Sequence, residues 1–304
     1  MQKEEFRGVM PAITTKMTDD QKVDLKALRA DVAFQIEAGV EAVICCGSLG
    51  EASTLVAEEK VAILDAACEE ARGRAPVLLT IAEDSTAAGC RLAEQAALHG
   101  AAGLMVLPAM RYVSDRRETI AHFRAVAAAT DLPIIVYNNP VAYAVDVTPA
   151  MLEEMADEPK FVAIKESTGD VRRVTDVINT VGNRYQILTG VDDIALESLM
   201  LGAVGWIAGL VAAFPHETVA LYRLAAAERY RDALELYRWF MPLLHLDVSV
   251  KFVQNIKLVE SIVRGTSPVV RAPRLPLEGA ERDRVTAIAK AALASRPALP
   301  DLAA

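Results

Sequence analysis

Phe161-Val162-Ala163-Ile164-Lys165-Glu166-Ser167-Thr168-Gly169-Asp170 holds four apolar residues, a lysine, and then a polar turn that contains glycine. A run that is apolar at every position, rather than at every second one, reads as a strand buried on both faces, as in a parallel sheet covered by helices. The lysine closes the strand and presents its amine at the mouth of a loop. Burial disfavours the ammonium form and lowers the pKa, which makes the amine a nucleophile near neutral pH. The same stretch also admits a lysine whose stem lies along the strand while its head reaches water or Glu166.

Working outward, the unit repeats. Strands are expected over residues 8–15, 41–46, 77–81, 103–107, 133–137, 185–189 and 204–208, besides 161–165. Helical patterns follow over 24–38, 58–72, 86–99, 115–129, 171–181, 194–201 and 215–226, and Thr148-Pro149 opens one more as a cap followed by proline. Eight strand–helix units point to an α/β fold of the (β/α)8 TIM barrel type. The rival, an open doubly wound sheet, carries a glycine-rich phosphate loop after its first strand. Here that place holds Thr14-Thr15-Lys16-Met17-Thr18. The barrel is expected over residues 1–227 and a helical extension packed on it over 228–304. The extension comprises helices over 229–246, disturbed at Pro242, and over 247–264, then a proline-rich linker over 267–276 and a last helix over 279–294.

Composition narrows the function. Apolar residues make up 53% of the 304 positions but aromatics only 5%, so the core must be built from Ala, Val, Leu and Ile. A net charge of −9 with no basic cluster argues against nucleic acid or an anionic membrane as partner. No run approaches the roughly 18 apolar residues of a membrane span, and no apolar signal core opens the chain, which predicts a cytoplasmic protein. The four cysteines, Cys45, Cys46, Cys68 and Cys90, lack metal-ligand spacing and read as buried, reduced thiols.

In such a barrel, catalytic groups come from the C-terminal ends of strands and the loops that follow. Gly47-Ser48-Leu49-Gly50 suits the capture of a carboxylate by backbone N–H groups and a hydroxyl, or is simply a strand-to-helix turn. Tyr137 ends a strand as a core aromatic or as a phenol that shuttles protons. Gly190, Asp192 and Asp193 cap a helix or meet substrate hydroxyls.

The set Gly47-Ser48-Leu49-Gly50-Glu51, Tyr137-Asn138-Asn139-Pro140, Ile164-Lys165-Glu166-Ser167 and Thr189-Gly190-Val191-Asp192 resembles the dihydrodipicolinate synthase / N-acetylneuraminate lyase family in motif order and strand placement, from about residue 7 through the C-terminal helices. The resemblance implies a (β/α)8 barrel with extra C-terminal helices, assembled as a homotetramer, with no metal or organic cofactor. It implies that Lys165 condenses with the ketone of pyruvate or another 2-oxo acid, and that Tyr137 relays protons at the adjacent carbon. Ser48 and the N–H groups of Ser48 and Leu49 would hold the carboxylate, Gly190 and Asp192 would line the pocket, and the Ile207 carbonyl would lie beside it.

The chain also departs from that pattern. The second threonine of the synthases' strand-two loop is Leu49, their tyrosine pair in the fourth loop is Ala109 and Met110, and the arginine that binds the second substrate's carboxylate is Ala142. Arg111, Arg116 and Arg117 are the candidates to replace that arginine. These losses predict a Schiff-base lyase or aldolase other than the lysine-pathway synthase. The alternative is a dehydratase or deaminase of the family, acting on a 2-keto-3-deoxy sugar acid or on 4-hydroxy-pyrroline-2-carboxylate. A true dihydrodipicolinate synthase ranks third, and a non-catalytic 2-oxo acid binding protein last.

Overall fold

The computed structural model describes residues 1–109 and 112–300. The chain alternates β1 (Gly8–Val9), α1 (Leu25–Glu37), β2 (Val43–Cys45), α2 (Ala57–Ala71), β3 (Val77–Ile81), α3 (Thr86–Leu98), β4 (Gly103–Val106) and α4 (Arg116–Ala128). It continues through β5 (Ile134–Asn138), α5 (Pro140–Tyr143), α6 (Pro149–Glu154), β6 (Phe161–Glu166), α7 (Arg172–Val181), β7 (Gln186–Thr189), α8 (Ala195–Met200), β8 (Gly205–Trp206) and α9 (Pro215–Ala226). Three helices follow: α10 (Tyr230–Leu244), α11 (Phe252–Arg264) and α12 (Gly279–Ala294).

All eight strands are parallel neighbours in the order β1-β8-β7-β6-β5-β4-β3-β2. Beyond the end of β1, a parallel bridge joins Ala12 to Ile44 of β2, with Ile13 N donating to the Ile44 carbonyl at 3.1 Å, so the two ends of that order meet. This arrangement is consistent with a (β/α)8 barrel. The first strand is shorter than its apolar run suggests because Pro11 has no N–H to give the ladder; pairing resumes one residue later.

Local signals place the helices. Asp24 accepts from Ala27 N to start α1, and Asp115 and Glu118 bond each other's backbone N–H at the start of α4. Thr148 caps α6 ahead of Pro149. Gly39 and Gly100, just beyond α1 and α3, take φ values of 89° and 83°, which let the chain leave the helix in the left-handed region.

The apolar residues divide into two layers. Met10, Ala42, Ile44, Leu78, Met105, Ile135, Ala163 and Leu188 fill the space inside the ring of strands, with Phe6 beneath them. Bulky aliphatic residues there let few aromatics suffice. The second and larger layer lies between strands and helices. Cys45 and Cys46 are buried within it, whereas Cys68 and Cys90 are only half-buried, and all four are free thiols.

The C-terminal helices are riveted to the strand ends by buried ion pairs. Lys257 of α11 pairs with Glu51 at 2.5 Å, and Lys16 pairs with Glu260 at 2.5 Å and Asp31 at 3.1 Å. Pro242 stands inside α10 without ending it. The structure also corrects the start of α11, which begins at Phe252 rather than at 247. Val248, Ser249 and Val250 are poor helix formers, and residues 247–251 form a turn instead. That turn supplies a residue to the site below.

Candidate active site

The β5–β6 register sets Tyr137 directly beside Lys165. Lys165 Nζ lies 4.3 Å from the centre of the Tyr137 ring, and the two side chains are 6% and 5% exposed. Among the described residues Nζ has neither a hydrogen bond nor an ion pair. The expected alternative partner, Glu166, points elsewhere: it accepts from Asn138 Nδ2 at 3.1 Å and from Thr168 N at 2.7 Å. Asn138 in turn donates to Asp146, which Arg173 grips through two 2.9 Å bonds. Alternation along β6 thus sends the lysine inward and its acidic neighbour outward. Burial pulls the Lys165 amine down to about 8, against the opposing pull of Asp247 and Asp192.

Room for the amine comes from Gly190 at the end of β7. A β-carbon there would stand 2.5 Å from Lys165 Cε and 2.2 Å from Ser167 Oγ. The Ser167 hydroxyl is buried beside Gly190 and, with Asn139 and Ser48, opposes the upward push of burial on the Tyr137 phenol.

Across the mouth, the loop after β2 turns tightly, with Ala52 N donating to the Gly47 carbonyl and Glu51 N to that of Ser48. The N–H groups of Ser48 and Leu49 donate to no described residue. The Leu49 side chain is buried in the outer apolar layer, so only its backbone faces polar company. Ser48 Oγ instead makes a short hydrogen bond with the hydroxyl of Tyr143, a residue that sequence reasoning passed over. Tyr143 sits at the end of α5, an unexpected helix that Asn139 caps and Pro140 opens, and its ring meets Tyr137 edge-on at 6.0 Å. Asn139 Nδ2 donates to the Tyr137 hydroxyl at 3.1 Å. Burial pushes the Tyr137 phenol up to about 12, so it is a neutral O–H at physiological pH. The sequence signal for Tyr143 is its place next to Ala142, where the synthases of the family carry an arginine.

Asp192 does not point at a free space. Its carboxylate accepts from Trp206 Nε1 at 2.9 Å, Gly209 N at 3.2 Å and Leu210 N at 2.8 Å, which ties the loops after β7 and β8 together. Asp193 pairs with His245 at 2.8 Å. The Ile207 carbonyl accepts no hydrogen bond from a described residue, while Ile207 N donates to Thr189 at 2.9 Å. The second overlooked group is Asp247, in the turn after α10. It packs onto Gly209, where a β-carbon would stand 2.2 Å from Oδ1. Sequence reasoning placed it inside a helix.

The fourth loop is described only in part. Met110 and Arg111 lie outside the described residues. Arg116 is committed to Glu154, and Arg117 lies on the outer helix α4, so neither stands in for the missing arginine. Among the described residues no cluster of His, Cys, Asp and Glu could hold a metal, and no helix is long and apolar enough to cross a membrane.

Comparison with known proteins places this geometry. The model of the dihydrodipicolinate synthetase family matches residues 5–292. A 4-hydroxy-tetrahydrodipicolinate synthase of Trichlorobacter lovleyi is 31% identical, over 94% of this chain and 98% of the relative. The one from Methanosphaerula palustris is 30% identical, over 93% and 97%. Among solved structures, dihydrodipicolinate synthase from Aquifex aeolicus superposes with a TM-score of 0.90 at 26% identity, covering 94% of this chain and 98% of that one. YagE, a prophage protein of the same family from E. coli K12 solved in complex with pyruvate, gives 0.89 at 26%, covering 95% and 99%.

Proposed function

Because the chain belongs to the dihydrodipicolinate synthetase family, we propose that it is a lyase in which Lys165 condenses with the ketone of a 2-oxo acid and the resulting iminium serves as electron sink. The observation that carries this reading is the state of Lys165: a buried amine, lowered to about 8, with no ion pair and a phenol beside it. The amine attacks C2, and water leaves from the carbinolamine. The Tyr137 hydroxyl, held by Asn139, passes protons at that oxygen and then at C3. The unused N–H groups of Ser48 and Leu49 support the loop as cradle for the carboxylate. We place the unbonded Ile207 carbonyl beside the same intermediate. Gly190 clears its space, and Asp192 acts by fixing the loops rather than by touching substrate. Neither a metal nor an organic cofactor enters this scheme.

Tyr143 supports a proton path of a different make. The chain lacks the second threonine and the tyrosine pair, yet the Tyr143 hydroxyl from its own α5 meets Ser48 and stands edge-on to Tyr137. Ala142 stands where a synthase carries the arginine for its second substrate, which supports a partner other than aspartate semialdehyde. Relatives named as synthases do not override this at 30–31% identity, because chemistry follows site residues rather than fold. Donors and cradle fit a 2-oxo acid oxygenated at C4, opened by aldol cleavage or by loss of the C4 group.

We extend the proposal to a homotetramer, with the barrel over residues 1–227 and the helical extension over 228–304. The exposed side chains of Tyr112 and Val113 supply an apolar surface for a subunit contact. One solved relative, 25% identical, is described as a monomeric synthase variant, so light scattering on the purified protein decides.

Assays with 2-keto-3-deoxygluconate, 4-hydroxy-1-pyrroline-2-carboxylate, and pyruvate plus aspartate semialdehyde test the function. Turnover is expected with a C4-oxygenated acid and should vanish in Lys165→Ala. Product formation from aspartate semialdehyde at ordinary enzymatic rates would contradict the reading.

A further inference from the structure

We propose that Asp247 donates the proton to the group that departs from C4 of the lysine-bound acid, which makes the chain an eliminating lyase that releases water or an amine. The proposal rests on the Schiff-base reading above and goes beyond it by choosing the bond that breaks.

The placement comes first. The turn after α10 carries Asp247 back over the end of β8, and its carboxylate lies against the bare α-carbon of Gly209, 2.2 Å from where a β-carbon would stand. Strand order puts β7 alone between β8 and the lysine-bearing β6, and β7 ends there in a second bare residue, Gly190. Gly190 and Gly209 thus give up their side-chain space, the first to Lys165 and Ser167 and the second to Asp247, and Lys165 and Asp247 lie close enough for each charge to act on the other.

The partners come next. Asp192 is consumed by Trp206, Gly209 and Leu210, and Asp193 by His245. Asp247 accepts no hydrogen bond and joins no ion pair among the described residues. An unpartnered carboxylate in such a place is costly when ionised, whereas the acid form is not. The charged and titratable groups that act on it are Asp192 and Asp193, which with burial raise its pKa, and Lys165, which opposes them; Tyr137 feels its charge in turn. Burial lowers the amine and raises the acid, which enlarges the uncharged share of each, the forms that a nucleophile and a proton donor need.

The chemistry distinguishes two bond cleavages. Breaking C3–C4 requires a base to take the proton of the C4 hydroxyl. Breaking the bond from C4 to its oxygen or nitrogen requires an acid. Tyr137, left as phenolate once its proton has gone out with the carbinolamine water, removes a C3 proton and gives the enamine. The C4–heteroatom bond then breaks, and its electron pair departs with the group, which takes the Asp247 proton. The C2=C3 pair moves to C3=C4, and the nitrogen lone pair restores the iminium. The new carboxylate of Asp247 appears at the moment the cation on the lysine nitrogen returns, so the two charges offset one another. Hydrolysis frees the product and returns a proton.

The test compares wild type with Asp247→Asn and Asp247→Ala on 2-keto-3-deoxygluconate and 4-hydroxy-1-pyrroline-2-carboxylate, with products identified by mass spectrometry. Borohydride trapping of pyruvate serves as the parallel readout. Wild type should form the dehydrated or deaminated product without an aldehyde fragment. Asp247→Asn should still trap pyruvate on Lys165, bind with KM within a few-fold, and lose about 10²–10⁴-fold in kcat. The fall of wild-type kcat at high pH should be absent from the residual activity of the variant. Pyruvate and an aldehyde as wild-type products would overturn the proposal. So would elimination from neither acid, or a kcat of Asp247→Asn within tenfold of wild type. Failure of wild type to trap pyruvate would instead strike the Schiff-base reading itself, and this inference with it.

Discussion

Lys165 Nζ stands 4.3 Å above the centre of the Tyr137 ring, with the two residues in register across β5 and β6. An ammonium over a phenol ring is attracted to it, but burial outweighs that attraction and lowers the amine to about 8. At pH 7 about one lysine in ten is then neutral, against about one in three thousand for an ordinary lysine. The initial rate of reductive trapping with pyruvate should rise with pH and level off near pH 8. A rate still climbing past pH 9 would mean an unperturbed lysine.

Gly190 is predicted to tolerate no side chain. In Gly190→Ala the new methyl would press on Lys165 Cε and Ser167 Oγ, at 2.5 and 2.2 Å in the present geometry. A displacement of about 1 Å at a reacting group costs on the order of 10²-fold in rate. Activity should fall by about that factor while the thermal midpoint moves little. Full activity would mean that the lysine stem lies elsewhere.

Tyr143 offers a sharper comparison. Tyr137→Phe removes the group placed at the reacting carbons and should lower kcat by about 10²–10⁴-fold. Tyr143→Phe leaves Ser48 Oγ without its partner and should also lower kcat, with KM nearly unchanged. Wild-type turnover in Tyr143→Phe would show that the hydroxyl pair is only structural.

The pair Lys257–Glu51 should matter for stability and not for chemistry. Both side chains are fully buried, and Arg271 N gives the carboxylate a second bond at 2.9 Å. Lys257→Ala leaves a buried carboxylate short of its cation, a loss of about 3–5 kcal/mol in comparable sites. Lys257→Met combined with Glu51→Gln should recover most of it, since neither charge is then buried. Urea denaturation of the three proteins measures this, and a loss below about 1 kcal/mol in the single variant would contradict it.

The fold was legible because the strands are mostly apolar and most helices of the barrel carry a cap, an opening proline or a closing glycine. The neighbouring placement of Lys165 and Tyr137 was legible because each stands next to the end of an apolar strand. What remained hidden depends on long-range packing. Asp247 looked like helix because the apolar pattern runs on through it, while two β-branched residues and a serine break the backbone there. Asp192 reads in sequence as pocket lining, and the bonds that Trp206 and two N–H groups give its carboxylate, whose charge still reaches Lys165, come from packing. Tyr143 carries no motif of its own, and only the capped turn of α5 swings the phenol to Ser48.

The most direct test of the central claim is borohydride reduction of the protein in the presence of pyruvate, followed by peptide mass mapping. The account predicts one added lactyl group on the peptide that carries Lys165, and none in Lys165→Ala. An unmodified Lys165 peptide, or an adduct confined to another lysine, would contradict it.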